Sequence, residues 1–284
     1  MANENSKIEQ FMWLEIIEQD IFRGESRNIG TPQVYGGQVL GQALRAARLT
    51  VENRDVHSVH AYFLRRGDFD APIVYQVDRS RDGGSFSARR VVAIQHGKPI
   101  FTLSASFQAA EDGLDYFTPH DMPPTPDELT QKGLLNAEAG RHAMHILASD
   151  FDVFKVEEQP PNAGAKPEVL RWWIKSRERL PDGALALHRE ILAYVSDFGL
   201  LYAAMMPHAE AGDARRKLLR NTNFASIDHT IWFHRPLRMD DWLLYDSKSI
   251  STSNGRASAQ GGFYNTRGEL LATIFQEGLA RQNL

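Results

Sequence analysis

Between Gly36 and Leu49 apolar residues recur at helical spacing. Leu40, Leu44 and Ala47 form one stripe, with Gln38, Gln42, Arg45 and Arg48 opposite, which predicts an amphipathic helix. The period then shortens. Four runs of strand character begin near Ser58, Ile73, Phe86 and Ile100, parted by turns such as Arg81-Asp82-Gly83-Gly84, and their spacing predicts consecutive antiparallel strands. The second half replays the order, with a helix over Ile191 to Met206 and strands starting near Phe224, Trp242, Arg256 and Leu270. Pairing Phe63 with Trp232 offsets the halves by 169 residues, and pairing Phe107-Gln108 with Phe275-Gln276 offsets them by 168. Leu14 to Phe22 is expected to open the first half as a strand, and Phe151 to Glu157 and Val169 to Ser176 the second. The basic stretch Ala209 to Thr222, about ten residues longer than its counterpart, reads as a loop. A proline-rich segment from Glu111 to Pro167, with a helical piece at Glu138 to Ala148, separates the halves. The expected organisation is α+β: an N-terminal repeat over residues 1–112, a linker over 113–150 and a C-terminal repeat over 151–284, each with a long helix on an antiparallel sheet.

Composition narrows the chemistry. The 284 residues contain no cysteine, which excludes disulfides, thiolate nucleophiles and Cys-ligated metals. The 32 basic and 36 acidic residues are scattered and give a net charge of −4, so no nucleic-acid partner is expected. No apolar run reaches membrane-span length and Met1 to Gln10 is polar, from which a cytoplasmic protein with no membrane span is expected. Gly36-Gly37 and Gly83-Gly84 match no nucleotide fingerprint. Neither a Gly-x-Ser-x-Gly elbow nor a His-Glu-x-x-His helix is present, and no cofactor or metal is expected.

Three polar residues stand out against this background. Asp197 and Ser196 are the only strongly polar members of the otherwise apolar second helix. A carboxylate in that setting requires hydrogen-bond partners or a raised pKa. Its alternatives are a carboxylate near the first helical turn helped by the helix dipole, and one at the wall of an apolar pocket that orients or deprotonates a water. Gln276 shares a strand face with Ala272 and Ile274, and Ser226 a face with Phe224, Asp228 and Thr230; each reads equally as ordinary strand filling.

Along nearly its whole length the chain resembles the type II acyl-CoA thioesterases, the double hot-dog group. The resemblance is carried by Phe22-Arg23-Gly24, Val34-Tyr35-Gly36-Gly37-Gln38, His57 to Arg65, Arg81 to Arg90, Ser196-Asp197, Ile227 to Pro236 and Gln276-Glu277-Gly278. It implies two fused hot-dog repeats, an acyl-CoA substrate cleaved to fatty acid and CoA, a homodimer or homotetramer, and catalysis without cofactor. It also implies that Asp197, Ser226 and Gln276 bind and activate the hydrolytic water. Ser226 stands where that group carries Thr, keeping the hydroxyl but losing the β-branch. Gln38 is the expected first-half counterpart of Asp197, which leaves one working site per chain. Arg65, Arg89, Arg90, Arg235 and the Arg215-Arg216-Lys217 run are available for CoA phosphates. A hydratase of the same fold would require a histidine on the second helix, absent from Tyr194 to Leu201, and an acyl-CoA-binding sensor without turnover is the rival from another class.

Overall fold

The computed structural model describes residues 7–133, 150–156, 169–208 and 213–283. Its first half runs α1 (Lys7–Met12), β1 (Glu15–Glu18), β2 (Ile21–Gly24), α2 (Gly36–Arg48), β3 (Asp55–Phe63), β4 (Ile73–Asp82), β5 (Phe86–Gln95) and β6 (Lys98–Gln108). After α3 (Pro126–Gln131) come β7 (Phe151–Lys155), β8 (Val169–Ser176), α4 (Leu185–Ser196), α5 (Leu200–Ala204), α6 (Asp213–Arg220), β9 (Thr222–Ser226), β10 (Asp228–Phe233), β11 (Leu243–Ser253), β12 (Arg256–Tyr264) and β13 (Leu270–Gln282). Among the described residues the strands form one antiparallel sheet in the order β1-β2-β4-β5-β6-β3-β10-β13-β12-β11-β8-β7, with β9 also paired to β13. The halves meet at β3 and β10, where His60 lies opposite Thr230. The helices fill the inside of this sheet. α2 packs against α4 and against β4, β5 and β6, while α5 packs against β11, β12 and β13. The body of α5 thus corresponds to α2, and α4 is an added helix that meets α2 across the middle.

Strand pairing corrects the offset between the halves. Phe63 pairs with Phe101 and Phe233 with Ala272, so β3 maps onto β10 with an offset of 170 residues and β6 onto β13 with 171. His60 and Thr230, themselves 170 apart, sit opposite each other, so the pseudo-twofold axis passes between them. Matching Gln108 to Gln276 was a coincidence of sequence. Side chains alternate across a strand: β6 buries Phe101, Leu103, Ala105 and Phe107 and turns Gln108 to the other face, whereas Gln276 is buried. Its true counterpart is Ala105.

The helix expected over Ile191 to Met206 is two helices. It starts earlier, at Leu185, ends at Ser196, and resumes at Leu200 after Gly199, whose φ of 84° lies in the left-handed region that glycine tolerates. The polar side of α2 does not face solvent either. Gln38 and Gln42 are buried, donating to the Glu25 carbonyl, and Gln42 also accepts the Tyr75 hydroxyl at 2.7 Å. Arg45 and Arg48 converge on buried Glu190 of α4 at 2.9 and 3.2 Å. The sequence stripe therefore distinguishes sheet-facing from helix-facing positions, both of them internal.

Three smaller expectations change as well. Leu14 to Phe22 folds as part of the β1–β2 hairpin. Most of the stretch from Ala209 to Thr222 is helical, as α6. The run from Phe224 to Thr230 is two strands, because the register against β13 slips by one residue at Ile227 between Ser226↔Gly278 and Thr230↔Phe275. Ser226 and Asp228 consequently do not share one strand face. The helix expected at Glu138 to Ala148 lies outside the described residues.

The α2–α4 contact depends on Gly37. A Cβ there would overlap the backbone oxygen of Tyr194. Alanine favours a helix intrinsically by about 1 kcal/mol over glycine, but the clash forces the two helices apart. We expect Gly37→Ala to lower stability by about 1 to 3 kcal/mol in urea unfolding. An unchanged or raised midpoint would show that the close approach is not required.

Candidate active site

The break between α4 and α5 places Asp197. Of α4, the residues from Leu187 to Ser196 are all buried, so this helix ends inside the core. A helix end leaves its last four carbonyls without intrahelical donors. In α4 each is satisfied: Ala193 O by the Ser196 hydroxyl at 2.9 Å, Tyr194 O by the Tyr35 hydroxyl at 3.0 Å, Val195 O by the Phe198 N–H at 3.0 Å and Ser196 O by the Tyr245 hydroxyl at 2.9 Å. Asp197 follows directly as the C-cap.

Two strands bring its partners. Gln276 is carried on the inner face of β13 with Ala272 and Ile274, as the alternation predicts, and Ser226 ends β9. Gln276 Nε2 donates to Asp197 Oδ1 at 2.5 Å and to Ser226 Oγ at 3.0 Å, and Ser226 Oγ donates to the same Oδ1 at 3.2 Å. The bulge at Ile227 turns Ser226 toward this point. Next to it, Asp228 accepts the Glu277 N–H at 2.7 Å and ties β10 to the residue after Gln276. The structure therefore gathers all three expected residues, 79 positions apart at the widest, into one hydrogen-bonded cluster.

Electrostatics at the cluster oppose one another. Desolvation pushes the Asp197 pKa up to about 6, while hydrogen bonds from Gln276, Ser226 and the backbone N–H of Gly37 hold it from rising further. Gly37 lies in the first turn of α2, whose positive dipole end faces the carboxylate, whereas Asp197 itself sits at the negative end of α4. Gln276 Oε1 is buried and has no partner among the described residues.

Two cavities flank the cluster. One, of about 470 Å³, is lined by Asp197 and the largely apolar Trp172, Phe198, Leu201, Tyr202, Leu219 and Phe224. The other, of about 220 Å³, lies between the halves and is lined by Ser226, Gly36, Phe63, Arg65 and Arg66. Of the basic residues considered for phosphates, Arg65 is therefore at the site. Arg89 is not available: it is buried, bonding to Thr50 and Asp82. Arg235 bonds to Asp115 and to the carbonyls of Leu270 and Tyr116, Arg216 pairs with Asp213, and Arg215 is buried.

The first half has no equivalent cluster. Ser226 and Gln276 map onto Val56 and Ala105 by strand pairing, and Gln38 on α2 is engaged by the Glu25 carbonyl and the Arg27 N–H. Among the described residues no group of three or more His, Cys, Asp or Glu side chains is placed to share a metal ion, and no helix is long and apolar enough to cross a membrane. Sequence reasoning missed the Gly37 N–H, the two tyrosine caps and Leu219 of α6. The signal for the first was present: two glycines opening a helix are unfavourable unless something approaches them closely, and a Cβ on Gly36 would meet Asp197 Oδ2 at 2.6 Å.

Comparison with known proteins covers both halves. Residues 23–108 match the family model of the acyl-CoA thioesterase N-terminal domain and residues 118–280 that of the acyl-CoA thioesterase C-terminal domain. The chain is 37% identical to acyl-CoA thioesterase 2 of Haemophilus influenzae, over 94% of each chain. With acyl-coenzyme A thioesterase 8 of Homo sapiens it shares 34% identity, over 94% of this chain and 86% of that one. Among solved structures, an acyl-CoA thioesterase II of Mycobacterium marinum superposes with a TM-score of 0.80 at 38% identity, covering 98% of both chains. A hot-dog protein of unknown function from Alicyclobacillus acidocaldarius superposes with a TM-score of 0.73 at 17% identity, over 99% of this chain and 100% of that one, a likeness of fold alone. The expected double hot-dog architecture is thereby established.

The raised Asp197 pKa has a consequence for stability. In the unfolded chain this carboxyl titrates near the ordinary value of about 4, and in the folded chain near 6. Between those values the folded state binds more protons, so this group's contribution to stability falls as pH rises from about 4 to about 6 and is flat above. We expect Asp197→Asn to be more stable than the wild type at pH 7 by about 2 to 3 kcal/mol, with the difference vanishing toward pH 4. Thermal unfolding of both proteins across this range checks it, and a constant difference would contradict the buried-charge assignment.

Proposed function

The chain belongs to the acyl-CoA thioesterase family, and from that premise we propose that it hydrolyses fatty acyl-CoA to fatty acid and CoA with a water held and activated by Asp197, Ser226 and Gln276. The observation that carries this reading is the meeting of those three side chains, from a helix break and two strands, at the wall of an apolar cavity. In this reading residues 151–284 form the repeat that bears the cluster, residues 1–112 form the repeat that supplies Gly37 and the second cavity, and residues 113–150 join them.

Thioester hydrolysis needs a base that is ionised at neutral pH yet basic enough to take a proton from water. A carboxylate with a pKa near 6 meets both demands better than one near 4. Asp197 accepts the water's proton as its oxygen attacks the thioester carbon. The tetrahedral intermediate then collapses, the C–S bond breaks, and the proton held on Asp197 passes to the departing CoA sulfur. Gln276 Oε1, buried and without a partner among the described residues, supplies an acceptor for the water's second hydrogen, and the Ser226 hydroxyl completes the cradle. The cavity lined by Trp172, Leu219 and Phe224 suits the acyl chain, and the cavity with Arg65 and Arg66 suits the CoA side.

The direct test is thiol release from acyl-CoA substrates ranging from acetyl to palmitoyl, with wild type and Asp197→Asn side by side. The near-isosteric Asn cannot act as a base, so kcat should fall by about 10² to 10⁴, and wild-type kcat should decline below about pH 6 as the carboxylate is protonated. Near-native turnover in the variant would remove Asp197 from the chemistry. Ser226 provides a second test. Ser226→Thr keeps the hydroxyl and should be neutral or mildly favourable, whereas Ser226→Ala should cost about 10² to 10³ in kcat. Equal rates for Ala and wild type would take Ser226 out of the site.

A further inference from the structure

We propose that Tyr35, Tyr245 and the Ser196–His229 pair are positioning residues for the hydrolysis, fixing the direction of the Asp197 carboxylate by holding the broken end of α4. The inference rests on the catalytic role proposed for Asp197. It starts from the peptide that joins Ser196 to Asp197. Its carbonyl is Ser196 O, which accepts the Tyr245 hydroxyl at 2.9 Å, so rotation of this peptide, which would swing the Asp197 side chain, breaks a buried hydrogen bond. The neighbouring Tyr194 O is held in the same way by Tyr35, a residue of the first half.

Both rings are locked. Tyr245 is fully buried and stacks on Phe263 at 4.3 Å, and Tyr35 makes edge contacts with Tyr194 at 5.2 Å and Phe198 at 6.4 Å. Their hydroxyl directions are therefore set by packing rather than by the bonds they make. Each phenol stays protonated, since enclosure and the nearby Asp197 charge push its pKa well up.

The third hold comes from β10. Ser196 Oγ lies 2.9 Å from Ala193 O and 2.8 Å from His229 Nε2. A hydroxyl has one proton, and that of Ser196 goes to Ala193 O, so His229 Nε2 carries the hydrogen and donates to Ser196. Burial pushes the His229 pKa down to about 3 and keeps the ring neutral. The same strand begins two residues after Ser226, so His229 ties the base to the segment that carries its hydrogen-bond partner.

Tyrosine to phenylalanine removes one hydroxyl and leaves the ring, which makes the test specific. We expect Tyr245→Phe and Tyr35→Phe each to lower kcat about 5- to 30-fold, as lost orientation of a reacting group does, with KM for one acyl-CoA within about twofold of wild type. In the Asp197→Asn background, where no base remains to be aimed, the same substitutions should change the residual rate by less than about twofold. Unchanged kcat in both single variants, a loss confined to KM, or an equal fold-loss with and without Asp197 would overturn the inference. If instead Asp197→Asn alone retains near-native activity, the catalytic reading fails first and the inference falls with it. Inert tyrosines beside an inactive Asp197→Asn overturn the inference alone.

Discussion

A helix that stops inside a hydrophobic core must find donors for its open carbonyls, and this requirement organises the centre of the molecule. α4 ends where water is scarce, so three of its four donors come from side chains, a tyrosine on each side and the helix's own last serine, and the fourth is the Phe198 N–H. The same break delivers Asp197 to a place where two dipoles oppose. The negative end of α4 discourages its charge, the first turn of α2 favours it, and desolvation decides the balance, leaving the carboxyl near a pKa of 6. An unbroken helix from Ile191 to Met206 would set Asp197 among ordinary backbone bonds and give the Ser196 carbonyl no use for Tyr245.

Much of this was legible in the sequence, and the misses have physical causes. Period-two alternation located the strands from β3 to β6 and from β11 to β13 and put Gln276 on the inner face, because packing on one side of a sheet imposes that period. The cost of burying a charge marked Asp197. The helix break was hidden because Leu200 to Met206 continues the apolar helical pattern, although Gly199 within it was a sign. Nor could the caps be read: Tyr35 and Tyr194 are 159 residues apart, and nothing local records their contact. Register errors arose similarly. Phe107-Gln108 and Phe275-Gln276 look alike in sequence, but only pairing across the sheet reveals that one glutamine faces outward and the other in.

The two halves have diverged at the same structural positions. By strand pairing, the first half has Val56 and Ala105 where the second has Ser226 and Gln276, and Gln38, matched to Asp197 in the sequence alone, serves to hold the chain entering α2. The first half nevertheless remains part of the site through Gly36, Gly37 and Tyr35. One half gives the side chains that could react, and the other gives the backbone against which they are fitted.

The seam between β3 and β10 also bears on how the chain reaches this state. It joins residues 170 positions apart, so closing it carries a large loop entropy and belongs to the slow, non-local part of folding. Each sheet half has its own local hairpins, β4–β5–β6 on one side and β11–β12–β13 on the other, which form from near neighbours. Strand content can therefore be recovered early, while the contact of Gly37 with Asp197 waits for the halves to dock. Local strand pairing alone therefore leaves the cluster around Asp197 incomplete, and whatever depends on that cluster depends on the closing of the seam.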